Sequence, residues 1–377
     1  VISRLRIAAT ALAVAAMAVL TACSSGGRPV PAGPPAVRGA DVSSTLAEEA
    51  AGTTLSSDGR IQPIEQILAA AGANYVRLRV WVDPLAGDND EETALTLARR
   101  AHAAGLKIFL DLSYSDWWTD TTRQAPPKAW AGQTPSQLTR TVRSYTQHVL
   151  ADFARQGTPV SMVEIGNEID RGILWPDGRV GPDGRGNWSM LARFVNAGIA
   201  GARAADPSVR IVLHVSVGSD HRAAVSFFDH LTAAGVHDFD VIGLSYYAYW
   251  QRSLDALGDT MDGLARRYHR PVLIAETDYP WTLSGNPADR WVTDRAQLPD
   301  AKRFPPTPAG QAAFFVALRR VISEVPDGRG LGLIDWEPGW LPGVSAGPGQ
   351  SDAAFSNLTM FDTRGRALPS LDVAFRP

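Results

Sequence analysis

The sequence predicts an α/β protein built as a (β/α)₈ barrel, the TIM-barrel fold, in a single domain. Three observations carry that expectation. Eight short apolar runs recur along the chain, amphipathic stretches of helical period lie between them, and the segments that follow the runs are long and rich in aromatic residues. A doubly wound open sheet is the alternative, but no G-x-G-x-x-G follows the first run.

The runs that read as strands are 37–42 (VRGADV), 75–81 (YVRLRVW), 107–112 (KIFLDL), 160–167 (VSMVEIGN), 209–215 (VRIVLHV), 239–247 (FDVIGLSYY), 271–277 (PVLIAET) and 331–336 (LGLIDW). Between the second and third, residues 90–104 form a helical pattern closed by Gly105. After the third, Ser136 can cap a helix whose apolar stripe is Leu138, Val142, Tyr145, Val149 and Phe153, ended by Gly157. Before the eighth, Pro308 opens a helix through Phe314 and Phe315 toward Glu324. The excursion at 111–133 carries Tyr114, Trp117, Trp118 and Trp130, and the segment after Glu168 carries Trp175 and two PDGR units that read as Asp-Gly turns. Barrel enzymes keep their sites on the face where these segments lie.

Composition narrows the partner. The chain has 377 residues, 45% hydrophobic and 20% charged, with a formal net charge of -3. That balance describes a globular protein with no basic surface for nucleic acid, and a neutral ligand fits it best. The 11 tryptophans supply flat faces that stack on sugars, although they also fill cores. A monomer is expected.

The first residues read as an export signal. Arg4 and Arg6 precede an uncharged segment, 7–20, followed by Thr21-Ala22-Cys23. The segment is short for a bilayer span, which needs about 20 apolar residues. The expected division is a signal peptide over 1–22, a Gly/Pro/Ser tether over 23–36 and the catalytic barrel over 37–377. Leu20-Thr21-Ala22-Cys23 resembles the bacterial lipobox, in which the cysteine is lipidated and anchors the chain to a membrane; a plain signal peptide with an incidental cysteine is the alternative. Cys23 is the only cysteine, so an exported chain has no disulfide to use.

The chemistry concentrates at two run ends. Glu168 closes the fourth run and Glu276 the seventh, and an unpaired carboxylate is costly to bury at such positions. The chain between them has room for three βα units. Retaining glycoside hydrolysis needs two carboxyl groups about 5–5.5 Å apart, one protonated as acid and one ionised as nucleophile. The charge on Glu276 is expected to keep Glu168 protonated near neutral pH, and glycosylation of Glu276 then frees Glu168 to act as base. Asn167 suits a hydrogen bond to the sugar 2-hydroxyl.

An ordered series of segments is similar to glycoside hydrolase family 53, the arabinogalactan endo-β-1,4-galactanases within the clan of retaining (β/α)₈ glycosidases. The segments are GADVS (39–43), VRLRVWVDP (76–84), IGNEI (165–169), LWPDG (174–178), DVIGLSYY (240–247), ETDYPW (276–281), GLIDWEPGW (332–340) and ALPSL (367–371). The resemblance implies Glu168 as acid/base, Glu276 as nucleophile, cleavage of internal β-1,4-galactosidic bonds and no redox cofactor. Some bacterial relatives bind calcium in a late loop, which this sequence does not establish. Three residues depart from the family pattern: Ser113 stands where histidine is usual, Ala248 where proline is, and Asp278 where alanine is. These leave the mechanism intact and put the exact substrate in question.

Period-two alternation adds binding candidates. Arg77, Arg79 and Trp81 share a strand face; an inward arginine either holds Glu276 ionised or forms a barrel-interior ion pair with Glu164. Asp111, at the end of the third run, is a further candidate. Ser245, Tyr247 and Tyr249 share a face, and Tyr247 either hydrogen-bonds the nucleophile or fills the core. Trp336 is the expected sugar platform and Trp118 a second, with loop packing as its alternative. Glu164 lies roughly 13 Å below Glu168 along the strand and is assigned to structure. His214, on the fifth run, could touch ligand, but it reads more readily as a satisfied core histidine. The seven histidines show no H-x-H or H-E-x-x-H, Ser216 and Ser245 lack a G-x-S-x-G elbow, and the PDGR units lack a calcium ligand ladder, so no metal site is expected. Two other functions compete: an endo-β-glycanase of the same clan acting on mannan or xylan, and a glycan-binding surface lipoprotein without turnover.

Overall fold

The computed structural model describes residues 35–85, 88–285, 290–344 and 355–377. The expected signal peptide, Cys23, nearly all of the expected tether and the greater part of the late loop considered for calcium lie outside the described residues.

Eight strands form the barrel: β1 (Val37–Asp41), β2 (Tyr75–Val80), β3 (Lys107–Leu112), β4 (Val160–Ile165), β5 (Arg210–Val215), β6 (Val241–Tyr247), β7 (Val272–Asp278) and β8 (Gly330–Trp336). They are hydrogen-bonded in chain order into a closed ring, and β1 completes it by pairing with β8 as well as with β2. Every neighbouring pair is parallel, which places all eight carboxyl ends on one rim. The strand bounds differ from expectation by two residues or fewer. Both faces of these strands are buried, so the apolar runs read as continuous rather than alternating.

Side chains that point inward fill the lower barrel with an apolar plug that includes Tyr75, Phe109, Met162, Val212, Leu273 and Ile334. Above the plug the inward positions turn charged: Asp41, Arg77, Arg79, Asp111 and Glu164 are all buried. Arg77 marks the boundary, its guanidinium carbon 5.9 Å from the centre of the Phe109 ring. Outward positions pack against the helices in a second, larger core.

The cap of the helix Pro135–Arg155 lies two residues before the expected one. Thr134, not Ser136, is the N-cap, because Pro135 suits the first helical position and Gln137 completes a reciprocal capping box. Asp90 caps Glu91–Ala103 by accepting from the Thr93 amide at 2.8 Å, and Thr307 caps Pro308–Glu324. Both PDGR units are turns: the first forms a small hairpin with Gly172–Ile173, and the second is closed by a bridge between Val180 and Gly186. No helix of the described residues is long and apolar enough to cross a membrane.

Candidate active site

The fourth strand ends at Ile165 rather than at Asn167, and the reason is local. Gly166 takes φ +82°, where a side chain would come within 2.8 Å of the Ile169 side chain. Glu168 follows with φ 46° and ψ 58°, a left-handed conformation that costs a non-glycine residue on the order of 1–3 kcal/mol. Gln124, itself buried, holds the turn by donating to the Asn167 carbonyl at 2.8 Å and the Glu168 carbonyl at 3.3 Å. The turn lifts the Glu168 side chain over the rim instead of leaving it in line with the strand.

Opposite it, β7 carries Glu276 between two stabilising partners. Arg77 Nη1 lies 2.8 Å from Glu276 Oε1, and the Tyr247 hydroxyl donates to Glu276 Oε2 at 2.8 Å. Arg77 thus pairs with both Glu276 and Glu164. The same guanidinium donates to Asp41 at 2.7 Å, to Glu164 at 2.9 Å and to Asn167 Oδ1 at 2.9 Å, and its Nη2 lies 3.4 Å from Asp111. Four carboxylates around one fully buried arginine hold its pKa well above the ordinary value against the opposing effect of burial. Its planar fork suits that task, which a lysine point charge could not fill. Asn167 donates its other amide end to the Thr119 carbonyl at 2.7 Å, which fixes the amide beside Glu168.

Glu168 lies among other partners. Ser245 donates to its Oε1 at 2.6 Å, and Ser245 stands in register with Glu276 across β6 and β7. His214 Nε2 is 2.8 Å from the Ser245 hydroxyl, and its Nδ1 contacts Glu164. Burial, aided by the neighbouring Glu276 charge, pushes the Glu168 carboxyl up to about 8. Burial also raises Glu164, but Arg77 and His214 outweigh it and leave that group at about 2. For His214 burial works downward, yet Glu164 raises it to about 9. One carboxyl therefore keeps its proton at neutrality while its neighbour is bound by a cation and a hydroxyl. Double-displacement glycoside cleavage requires that asymmetry.

Glu168, Glu276 and Asn167 open into a cleft of about 280 Å³ walled by Trp118, Trp336, Trp250, Trp291 and Phe355. Trp336 and Trp118 line it together, their ring centres 6.0 Å apart. Trp118 lines the cleft and also packs on Trp340 and Trp81. Tyr247 also lines the cleft. Arg79 reaches Glu337 at 2.9 Å rather than Glu276, and its guanidinium lies 4.1 Å from the Trp118 ring centre, backing the aromatic wall. Arg77 and Asp111 lie beneath the cleft, buried and bonded to protein groups; Asp111 accepts from Ser113 at 3.2 Å, and burial raises it to about 7. Ser113 lines the cleft, whereas Asp278 is buried and accepts from the Tyr249 hydroxyl at 3.0 Å.

Sequence reasoning passed over Ser245 and His214 as working parts, and it missed Trp250, Trp291 and Phe355. The strand face shared by Ser245 and Tyr247 was the available signal for the first. The aromatic three sit outside the strands, where no periodicity points at them. Trp250 is 56% and Trp291 40% exposed, and such rings on a cleft rim are the trace a structure supplies.

A parallel barrel that raises two unlike carboxyls into a tryptophan-walled groove defines a glycoside hydrolase. Residues 37–374 match the model of glycosyl hydrolase family 53, and the chain belongs to that family. It is 37% identical over 345 residues to a probable arabinogalactan endo-β-1,4-galactanase A of Aspergillus fumigatus, covering 89% of this chain and 92% of the relative. Among solved structures it is similar to the family 53 catalytic domain of Ignisphaera aggregans, with TM-score 0.84 and 33% identity over 92% of this chain and 98% of that one. It is similar also to a fungal β-1,4-galactanase, with TM-score 0.80 and 33% identity over 91% and 100% of the two chains.

Proposed function

We propose that this protein is an exported endo-β-1,4-galactanase that cleaves internal bonds of galactan and arabinogalactan with retention of anomeric configuration. Glu276 attacks the anomeric carbon while Glu168 protonates the departing glycosidic oxygen, giving a covalent glycosyl-enzyme. Loss of the Glu276 charge then makes Glu168 a stronger acid, and as carboxylate it takes a proton from the incoming water. Asn167, held by Arg77 and Thr119, keeps one amide N–H for the sugar 2-hydroxyl. Trp336 and Trp118 offer stacking faces to sugar rings.

The single observation that carries the reading is the asymmetry of the two carboxyls: one is bound to Arg77 and Tyr247, the other is pushed up to about 8. The names of the relatives support galactan as substrate. The direct test incubates purified protein with galactan, mannan and xylan. Shortened β-1,4-galacto-oligosaccharides are the expected products; products from xylan or mannan alone would reassign the substrate. Binding without products from any of the three would make the protein a glycan-binding lipoprotein. For the residues, Glu276→Ala is expected to abolish turnover and be rescued by azide as the α-galactosyl azide, and a β product would assign that residue as the acid/base instead.

The N-terminal pattern supports export with a lipid on Cys23. Expression in a bacterial host with labelled palmitate tests it: label on the wild type and none on Cys23→Ala is expected, and an unlabelled wild type returns the segment to a plain signal peptide.

A further inference from the structure

We propose that Glu164, His214 and Ser245 form a hydrogen-bond relay of fixed polarity that assigns the reactive proton of Glu168 to Oε2 and steadies the carboxylate left when that proton departs. The inference rests on the reading of Glu168 as the acid/base. Ser245 and His214 are then positioning residues, acting on the substrate through Glu168.

The relay runs inward from the cleft through two hydrogen bonds and then an ion-pair contact to Glu164. Ser245 Oγ is 2.6 Å from Glu168 Oε1, His214 Nε2 is 2.8 Å from Ser245 Oγ, His214 Nδ1 contacts Glu164 Oε1, and Glu164 Oε2 accepts from Arg77 at 2.9 Å. His214 and Glu164 are fully buried and Ser245 nearly so, which leaves no solvent to compete for these bonds.

Proton counting sets the direction. An imidazolium donates from both nitrogens, so Nδ1–H goes to Glu164 and Nε2–H to the serine oxygen. A serine has one proton, and with its oxygen already accepting from His214 that proton is directed at Glu168 Oε1. An oxygen that accepts at this distance is not the one carrying the carboxyl proton, so the proton resides on Oε2. A neutral His214 would reverse the logic, because its free Nε2 lone pair would draw the serine hydroxyl away from Glu168.

The surrounding charges favour the imidazolium. His214 faces Glu164 from β4 and Glu276 from β7, which support its charge, and Arg77 from β2, which opposes it. Glu168 faces Glu276 from β7 and Asp170 from its own turn, which oppose its ionisation, and His214 from β5 and the Ser245 hydroxyl from β6, which favour it. Asp170 is itself held by the Ser216 amide at 2.8 Å and the Ser216 hydroxyl at 3.1 Å. During cleavage the proton passes from Oε2 to the glycosidic oxygen, which takes the electron pair of the breaking C–O bond, while Glu276 bonds to the anomeric carbon. The charge left on Glu168 meets the serine O–H and the imidazolium behind it, and His214 keeps its own protons.

Ser245→Ala and His214→Asn test this; asparagine retains a donor toward Glu164 and cuts the link to Ser245. Each variant is compared with wild type on a β-1,4-galacto-oligosaccharide, whose leaving group needs a proton, and on 2,4-dinitrophenyl β-galactobioside, whose leaving group needs none. Expected is a fall of about 10- to 100-fold in kcat/KM on the oligosaccharide, with the aryl substrate within about twofold of wild type. The alkaline limb on the oligosaccharide is expected to move to higher pH. The ratio of the two kcat/KM values in one preparation cancels the folded fraction, so partial misfolding cannot imitate the result. Equal losses on both substrates, or losses on neither, overturn the relay. Glu168→Ala with azide and the aryl substrate separates the two claims. If it yields the β-galactobiosyl azide while Ser245→Ala keeps the wild-type ratio, the relay alone falls; if no β product forms, the acid/base reading falls with it.

Discussion

The Tyr247 hydroxyl donates to Glu276 Oε2 at 2.8 Å, while Arg77 holds the other oxygen of the same carboxylate. A hydrogen bond to a charged group contributes about 1.5–3 kcal/mol. Tyr247→Phe removes it and leaves the ring that packs 5.2 Å from Trp250. The expected outcome in steady-state kinetics on galactan is a fall in kcat of about 10- to 100-fold with KM within about twofold. A variant with wild-type kcat would show that Tyr247 only fills space.

In its proposed role as acid, Glu168 is expected to set the upper pH limit of activity. Its carboxyl is pushed up to about 8 by burial and by Glu276, so the protonated form needed to leave with the glycosidic oxygen persists through neutrality and is lost above that value. The kcat/KM profile on galactan is expected to fall through an alkaline limb near pH 8, and Glu168→Ala assayed on an activated aryl galactoside should lose that limb. An alkaline limb unchanged in Glu168→Ala would place the titration elsewhere.

The buried Glu164–His214 pair gives stability its own pH window. Glu164 is lowered from 4.5 to about 2, so its contribution is complete above pH 4.5 and disappears as pH falls through 2. His214 is raised from 6.5 to about 9, so its contribution is complete below pH 6.5 and disappears as pH rises through 9. The difference in Tm between wild type and a Glu164→Gln, His214→Asn double variant is expected to be largest between pH 4.5 and 6.5. A difference that does not vary from pH 3 to 9 in calorimetry would contradict the ion pair.

The left-handed backbone at Glu168 has a measurable cost. Glycine accepts φ 46° without strain, and Glu168→Gly also removes a half-buried, partly desolvated carboxyl. Thermal melts are expected to show the inactive variant a few degrees more stable than wild type, in line with relief of about 1–3 kcal/mol of strain. Gln124→Ala, which frees the carbonyls of the same turn, is expected to melt lower. A lower Tm for Glu168→Gly would mean that the glutamate side chain supports the turn.

Much of this was legible from residue order, for physical reasons. A strand buried on both faces must be apolar throughout, so the runs ending at Leu112, Val215 and Tyr247 announced themselves, and a glutamate at the end of such a run stands out by its desolvation cost. Where local signals were silent the reading stopped. Arg77 and Arg79 share a strand face and look alike in sequence, yet the first meets Glu276 and the second Glu337, because only ring closure sets what faces each. Asp278, standing where the family pattern has alanine, lies buried and accepts from the Tyr249 hydroxyl, which nothing local in the sequence announces. Ser245 and His214 are small or common core residues, and their link becomes visible only when β5 and β6 lie side by side.

Because β1 joins β8, the first and last staves of the barrel are neighbours in space and opposite ends of the folded chain in time. A ribosome must therefore have delivered Trp336 before the ring can shut. Until then Asp41 lacks the strand that flanks it, and the groove between the two glutamates has no finished far wall. A chain cut before β8 is therefore expected to lack both the closing stave and the Trp336 side of the groove, and with them hydrolytic competence.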